Sequence, residues 1–265
     1  MNLSVKNGVA LLKYKIYDDI AFVNHCVSTR HGGVSANEQG AMNLGFNTHD
    51  TKENVTENYI RFCKAAGIDS HNLVFGFQTH SANVRYVSEK DRGKGIYTEK
   101  DYTDVDALIT DRKNVALVIH TADCVPITYC DTAHKAIGNA HCGWRGTYAN
   151  LAEITLSEMQ KRFGTKPEDL VCTIGPAICH SCYEVSENLY RDFMDKFGFK
   201  EEITQKDGRY FLDLMNINRR ILENAGVKRI AVSDLCTKCN CNNLHSHRGL
   251  GVKRGLISSV IEITQ

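Results

Sequence analysis

The sequence predicts an α+β fold of layered, mixed β-sheets flanked by helices, organised as a single domain over residues 1–265. Three observations carry that expectation. Short apolar strand-like runs outnumber helical segments along the chain. Four of those runs fall consecutively between residues 105 and 139 with no room for crossover helices, which argues for hairpin or meander connections rather than a doubly wound parallel sheet. Neither an internal repeat, a low-complexity run nor a Gly/Ser-rich linker marks a boundary. One domain of this length buries about three quarters of its unfolded surface, so a sizeable core is available.

Taken in order, the first helix is expected from Asn54 to Gly67, where Val55, Tyr59, Phe62 and Ala66 recur at helical spacing and Gly67 suits the C-terminal turn. A strand is expected at 73–77, followed by the four runs 105–109, 115–119, 125–129 and 135–139. Asn150 to Gly164 repeats the helical pattern through Ala152, Leu156, Met159 and Phe163, and Pro167 blocks its continuation into the strand at 170–174. Ser186 can cap a helix with Leu189, Phe193 and Phe197 on its apolar face, and Asp213 another built on Ile217, Ile221 and Ala225; Gly198 and Gly226 end them. Strands at 229–233 and 256–263 complete the set.

Composition excludes several function classes. Lys and Arg total 32 against 31 Asp and Glu, which leaves no electrostatic footprint for a nucleic acid or an anionic membrane. The longest apolar stretches, such as VALVI at 115–119, fall far short of the roughly 20 residues that span a bilayer. No basic segment followed by an apolar core opens the chain, so a cytoplasmic location is expected. The 11 cysteines are odd in number, and most of them, including Cys26, Cys63, Cys130 and Cys172, sit in apolar runs as small hydrophobes, so a disulfide framework is not expected.

Chemistry concentrates in three polar clusters that each directly follow an apolar run: QTHS at 78–81, HTADC at 120–124 and AHCGWRGT at 140–147. Side chains at a strand end are held by a rigid scaffold yet reach solvent, where catalytic groups are useful. His80, Cys124 and His141 are the imidazole or thiol of each. Two imidazoles and a thiolate suit Zn²⁺ and leave a fourth position open, as in catalytic zinc sites. The same atoms admit a second chemistry, in which His141 activates Cys124 as a nucleophile. Sequence alone does not separate these, although a Cys–His hydrolase has no need of a second imidazole.

The ordered series TRHGGVS (29–35), NLG (43–45), QTHSANV (78–84), DALIT (106–110), TADCVPI (121–127), HCGWRGT (141–147), IGPAI (174–178), YEV (183–185) and SHRG (246–249) resembles the YfiH/YlmD family across nearly the whole chain. That family is also called DUF152, the "polyphenol oxidase" or the laccase domain-containing family. The resemblance implies a YfiH-like fold and a zinc site made by His80, Cys124 and His141, which also serve as the catalytic residues. It further implies phosphorolysis of purine nucleosides (adenosine, inosine, guanosine and methylthioadenosine) and hydrolytic deamination of adenosine, with purine nucleosides and phosphate as partners. Toxin deamidases that share the fold use a Cys–His pair, and peptidoglycan-editing relatives make a Cys–His hydrolase or amidase, or a non-enzymatic cell-wall assembly factor, the alternatives.

Within the matching motifs Arg30, Asn43, Arg145 and Arg248 are the expected substrate-binding residues, since arginines can bind phosphate bidentately, although each also suits a structural ion pair. Asp106 and Asp123 are candidates to orient a metal-bound imidazole or to form turns. The laccase label points to copper, and a His₂Cys set matches a blue-copper centre. Multicopper sites need several H-x-H pairs, however, and the 11 histidines here supply one, His245 and His247. Copper-dependent polyphenol oxidation is therefore the lesser expectation. Cys236, Cys239 and Cys241 form C-x-x-C-x-C, and Cys179 and Cys182 a further C-x-x-C; the pattern resembles a zinc knuckle but also fits spare thiols.

Overall fold

The computed structural model of the chain describes residues 1–36 and 40–265. Two six-stranded sheets lie face to face, with helices on both outer surfaces. The first sheet contains β1 (Asn2–Lys6), β2 (Val9–Lys13), β3 (Val23–Ser28), β4 (Leu73–Phe75), β7 (Ala116–Thr121) and β15 (Ile257–Ile263), in the spatial order β1-β2-β3-β15-β7-β4. The second contains β5 (Val84–Tyr86), β6 (Ala107–Thr110), β8 (Val125–Asp131), β9 (Ala136–Cys142), β10 (Leu170–Ile174) and β14 (Arg229–Val232), in the order β14-β10-β8-β9-β6-β5. Pairing is antiparallel inside each sheet, and parallel only where β4 joins β7, β5 joins β6 and β14 joins β10. A third, small sheet holds β11 (Glu184–Val185), β12 (Ile203–Lys206) and β13 (Arg209–Leu212).

Strand periodicity assigns each side chain its layer. In β7, Leu117 faces the second sheet while Ala116 and Val118 face the helix α1 (Lys52–Ala66); in β15, Ile261 and Val260 divide in the same way. Leu108, Cys130, Ile137 and Val171 complete the inter-sheet layer. On the far side α3 (Leu151–Phe163) and α5 (Leu214–Asn224) cover β9 and β10 through Leu156, Met159, Ile217 and Ile221. α2 (Trp144–Tyr148), α4 (Glu187–Phe197) and α6 (His247–Leu250) are the remaining helices among the described residues. Among the described residues no helix is long and apolar enough to cross a membrane. All 11 cysteines are free thiols, and Cys26, Cys63, Cys130 and Cys172 are buried.

The expected caps form. The hydroxyl of Ser186 accepts the Leu189 N–H at 3.3 Å, the Asp213 carboxylate accepts that of Asn216 at 3.0 Å, and Gly67 and Gly198 end their helices with positive φ. Of the hairpin or meander connections expected over residues 105–139, one hairpin forms and no continuous meander does. β8 and β9 make a hairpin, but β7 crosses to the other sheet, because facing sheets about 10 Å apart can be bridged by a short loop. The N-terminal hairpin, β5 and the third sheet lie outside the sequence expectation. The turn of that hairpin, Asn7-Gly8, has positive φ at both residues, the geometry that matches strand twist in a two-residue turn.

Candidate metal centre and cleft

The periodicity that builds the core also aims the site. In β9, Ile137 and Asn139 point into the inter-sheet layer, so His141 projects the same way two residues on. Asp106 precedes β6 with the parity of Leu108, and Cys124 precedes β8 with the parity of Cys130. Three chemically active side chains therefore meet at one end of the inter-sheet layer, and His80 closes over them from the turn that follows β4.

His80 Nε2 lies 3.9 Å from Cys124 Sγ, the His80 and His141 rings are 4.9 Å apart, and one donor atom from each of the three residues falls within 4.8 Å of the others. Asp106, completely buried, organises them. One of its oxygens accepts a hydrogen bond from His141 Nδ1–H at 2.8 Å, and its carboxylate also accepts the backbone N–H groups of Thr79, His80 and Ser81 at 2.9, 3.1 and 2.8 Å. Those bonds hold His80 at φ +66°, a conformation that costs a non-glycine residue about 1–3 kcal/mol. Burial would push the Asp106 carboxyl up, but His141 and these N–H donors hold it down at about 2. Burial likewise opposes the charged forms of His141 and Cys124. Their mutual attraction, with Asp106 behind the imidazole, nevertheless raises His141 to about 9 and holds the Cys124 thiol at about 6.

The donor set fits a single thiophilic cation. Tetrahedral zinc separates a thiolate and an imidazole nitrogen by about 3.6 Å, close to the observed spacing. His141 has only Nε2 free to ligate, since Nδ1 is committed to Asp106. Gly143 leaves the necessary room, because a Cβ there would lie 2.9 Å from both Cys124 Sγ and His80 Cδ2. Among the described residues a single further group could hold a metal, and it contains no histidine; His245 is buried with Nε2 on the Met42 carbonyl.

His80, Cys124 and His141 open onto a cleft of about 720 Å³. Phe46, Phe77 and Tyr97 contribute aromatic surface and Lys52, Lys100 and Arg254 positive charge. Lys100 sits 4.9 Å over the Phe77 ring and donates to the Gly76 carbonyl at 3.0 Å, and burial lowers the pKa of both Lys100 and Arg254. Gln78 clamps the wall by exchanging two hydrogen bonds with the His120 backbone, at 2.7 and 2.8 Å.

The four residues expected to bind substrate do not line this cleft. Asn43 is fully buried and spends its amide on its own loop and the Leu256 N–H, and the Arg30 guanidinium donates to the Cys241 carbonyl; both hold loops in place. Arg145 stacks on Trp144, 4.2 Å away, and Arg248 donates to the Glu184 carbonyl at 3.1 Å. Both influence Tyr183. Burial and the nearby Cys124 thiol push its hydroxyl up to about 12, against the opposing pull of the two guanidinium groups. Asp123, at φ +94°, accepts the Thr237 hydroxyl at 2.6 Å and the Arg248 N–H at 2.6 Å, which fixes the residue before Cys124. The cleft residues Lys100 and Arg254 escape sequence reasoning because they sit in charged, loop-like segments without a spacing signal, and Phe77 because it reads only as the end of the strand expected at 73–77.

The fold is a two-sheet α+β sandwich that gathers His80, Cys124 and His141 at the open end of its inter-sheet layer, a donor group that could hold one metal ion. The chain belongs to the family described as multi-copper polyphenol oxidoreductase laccase, whose model matches residues 24–264 and whose members include YlmD and YfiH. It is 32% identical to a purine nucleoside phosphorylase of Bacteroides thetaiotaomicron, over 98% of this chain and 99% of that protein. It is 30% identical to adenosine deaminase RL5 of an unknown prokaryotic organism, over 86% and 89%. The crystal structure of YlmD from Geobacillus stearothermophilus superposes with a TM-score of 0.90 at 29% identity, over 99% of both chains.

Proposed function

We propose that this chain is a zinc-dependent purine nucleoside phosphorylase that also deaminates adenosine hydrolytically, with His80, Cys124 and His141 as metal ligands and catalytic residues. The observation that carries the reading is the three-donor centre opening onto a cleft that pairs aromatic faces with half-buried cations. Bound there, zinc supplies a Lewis acid with an open position. Asp106 keeps the His141 proton on Nδ1, so Nε2 is presented as a lone-pair donor. Phe46, Phe77 and Tyr97 suit the flat faces of a purine, and Lys100 and Arg254 suit phosphate, whose charge they neutralise in a partly dry setting. In phosphorolysis a phosphate oxygen bonds to C1′ as the glycosidic bond breaks, and the purine leaves with the electron pair and takes up a proton. In deamination water adds at C6 and ammonia departs. The names of the relatives support both activities.

The test is product analysis by mass spectrometry after incubation of the zinc-loaded protein with adenosine, with and without phosphate. Adenine with ribose 1-phosphate, and inosine, are the expected products, and Cys124→Ala should abolish them while leaving the fold intact. Absence of every product from folded, zinc-loaded wild type overturns the proposal.

A second reading, a Cys–His hydrolase, is favoured by His141, which is bonded to Asp106 through Nδ1 and has its donor atom within 4.8 Å of Cys124 Sγ. Alkylation by iodoacetamide separates the two. A ligand thiolate should be protected by zinc and exposed by chelation or by His80→Ala, whereas an activated nucleophile should react equally fast with and without zinc.

A further inference from the structure

A second group of sulfur atoms lies behind the catalytic cysteine. β10 and β14 are parallel neighbours, so the loops that follow them leave the same end of the sheet side by side. They are zipped together by a parallel bridge between Ala177 and Cys236 and by the Thr237 N–H on the Ala177 carbonyl at 3.0 Å. Each loop carries a C-x-x-C pair, Cys179 with Cys182 and Cys236 with Cys239, and one sulfur from each of the four falls within 4.8 Å of the others.

Three independent features make this a metal cradle rather than a chance meeting of thiols. First, Cys182 and Cys239 Sγ are 3.5 Å apart, close to the roughly 3.8 Å between thiolates of a zinc tetrathiolate and far from the roughly 2.05 Å of a disulfide. Second, Cys236 Sγ accepts two backbone N–H groups, from Cys179 at 3.3 Å and Cys239 at 3.4 Å, as thiolates that carry formal charge require. Third, Cys241, which the sequence groups with Cys236 and Cys239, is left out, so two C-x-x-C pairs supply four ligands with the spacing of a structural site.

We propose that Cys179, Cys182, Cys236 and Cys239 bind one Zn²⁺ as a closed tetrathiolate, a structural site separate from the His80, Cys124 and His141 centre. Its four positions are filled by protein, so it has no place for substrate. Its work is mechanical. It fastens the 175–183 loop to the 233–246 loop, and through Thr237, whose hydroxyl bonds the Asp123 carboxylate, it steadies the residue that precedes Cys124. The Ile178 N–H on the Asp123 carbonyl at 3.0 Å ties the other loop to the same point.

Metal counting tests this directly, using full-length protein purified under reducing conditions with only traces of zinc. Wild type should hold about two ions per chain, one per site type, and Cys182→Ser and Cys239→Ser about one, a twofold fall. His80→Ala should also lose one ion, while its cobalt-substituted form retains the absorption of a thiolate-only tetrahedral site. A wild type with about one ion that survives His80→Ala and is lost in Cys182→Ser supports this site and counts against the other. The wild-type count and the cobalt spectrum of His80→Ala stand even where the serine variants fail to fold. Reduced wild type whose metal content is insensitive to both serine substitutions overturns the proposal. So does a Cys182–Cys239 disulfide in freshly purified protein together with no thiolate absorption on adding cobalt.

Discussion

Asp106 organises the candidate centre. Its two oxygens serve the His141 imidazole and three successive backbone N–H groups of the turn that carries His80, so one carboxylate aligns two imidazoles that lie far apart in sequence. Asp106→Asn keeps the volume but loses the charge and replaces one acceptor with an amide NH2 that must face N–H donors. The expected outcome is a loss of about 10–100-fold in zinc affinity at the His80 centre, read by competition with a chromogenic chelator, with turnover falling in parallel. Unchanged affinity in a folded variant would show that the imidazole is oriented by packing alone. The short polar motifs of the sequence name the three residues proposed as ligands; they leave Asp106 as one of two equally plausible carboxylates, because its hydrogen bonds depend on where the chain returns.

At the scale of elements, helices explain themselves locally and sheets do not. The cap of α5 is one residue, Asp213, whose carboxylate accepts the Asn216 N–H at 3.0 Å and its side-chain amide at 2.8 Å. Asp213→Ala should cost about 1 kcal/mol in urea unfolding, with the denaturant slope unchanged. The sandwich relies on a polar bolt instead. Asn139 on β9 is fully buried and sends its amide protons across the layer to the carbonyls of Leu117 and Ser259, at 3.0 and 2.9 Å, so it ties the second sheet to two strands of the first. Asn139→Leu should destabilise the protein by about 1–3 kcal/mol despite its added apolar surface, since two buried carbonyls lose a donor. Equal or greater stability by calorimetry would show that packing outweighs the bolt. The helix boundaries were readable because capping and 3.6-residue periodicity act within a few residues. The fate of β7 was not, because nothing local says which of two facing sheets a buried strand joins.

For the molecule as a whole, buried neutral histidines set an acid limit. His25 lies among Tyr14 and Tyr17, with ring centroids 5.4 and 4.9 Å away and no partner for Nε2. Burial, helped by the nearby Lys13 charge, lowers its pKa from 6.5 to about 3. His245, which donates Nε2–H to the Met42 carbonyl, is lowered to about 3 by burial, with Arg30 and Arg254 adding to the effect. Each imidazole takes up a proton near 6.5 in the unfolded chain but not in the fold until far lower pH. Their contribution to stability is therefore complete above 6.5 and is lost as pH falls toward about 3. The urea midpoint should drop between about pH 7 and about pH 5, and less steeply in His25→Gln, where a group that titrates in that interval is gone. A flat profile in wild type would mean that compensating carboxylates dominate.

The sequence by itself determined the α+β class, the four long helices with their caps, most of the central strands and the three residues that meet at the centre. All of these rest on short-range signals: periodicity, capping, and polar residues placed just past an apolar run. Tertiary structure alone decided that β7 crosses between sheets, that Arg30 and Asn43 bond to loops and do not line the cleft, and that Lys100 and Arg254 supply its half-buried charge. It also decided which cysteines meet. Cys241 shares a tight motif with Cys236 and Cys239 yet stands apart, while Cys179 and Cys182 arrive 57 residues away along the chain, because the parallel pairing of β10 with β14 sends both loops off one edge. Neighbours within a helix or a hairpin are fixed by local covalent geometry, whereas partners brought together by sheet order are set by how the whole core packs.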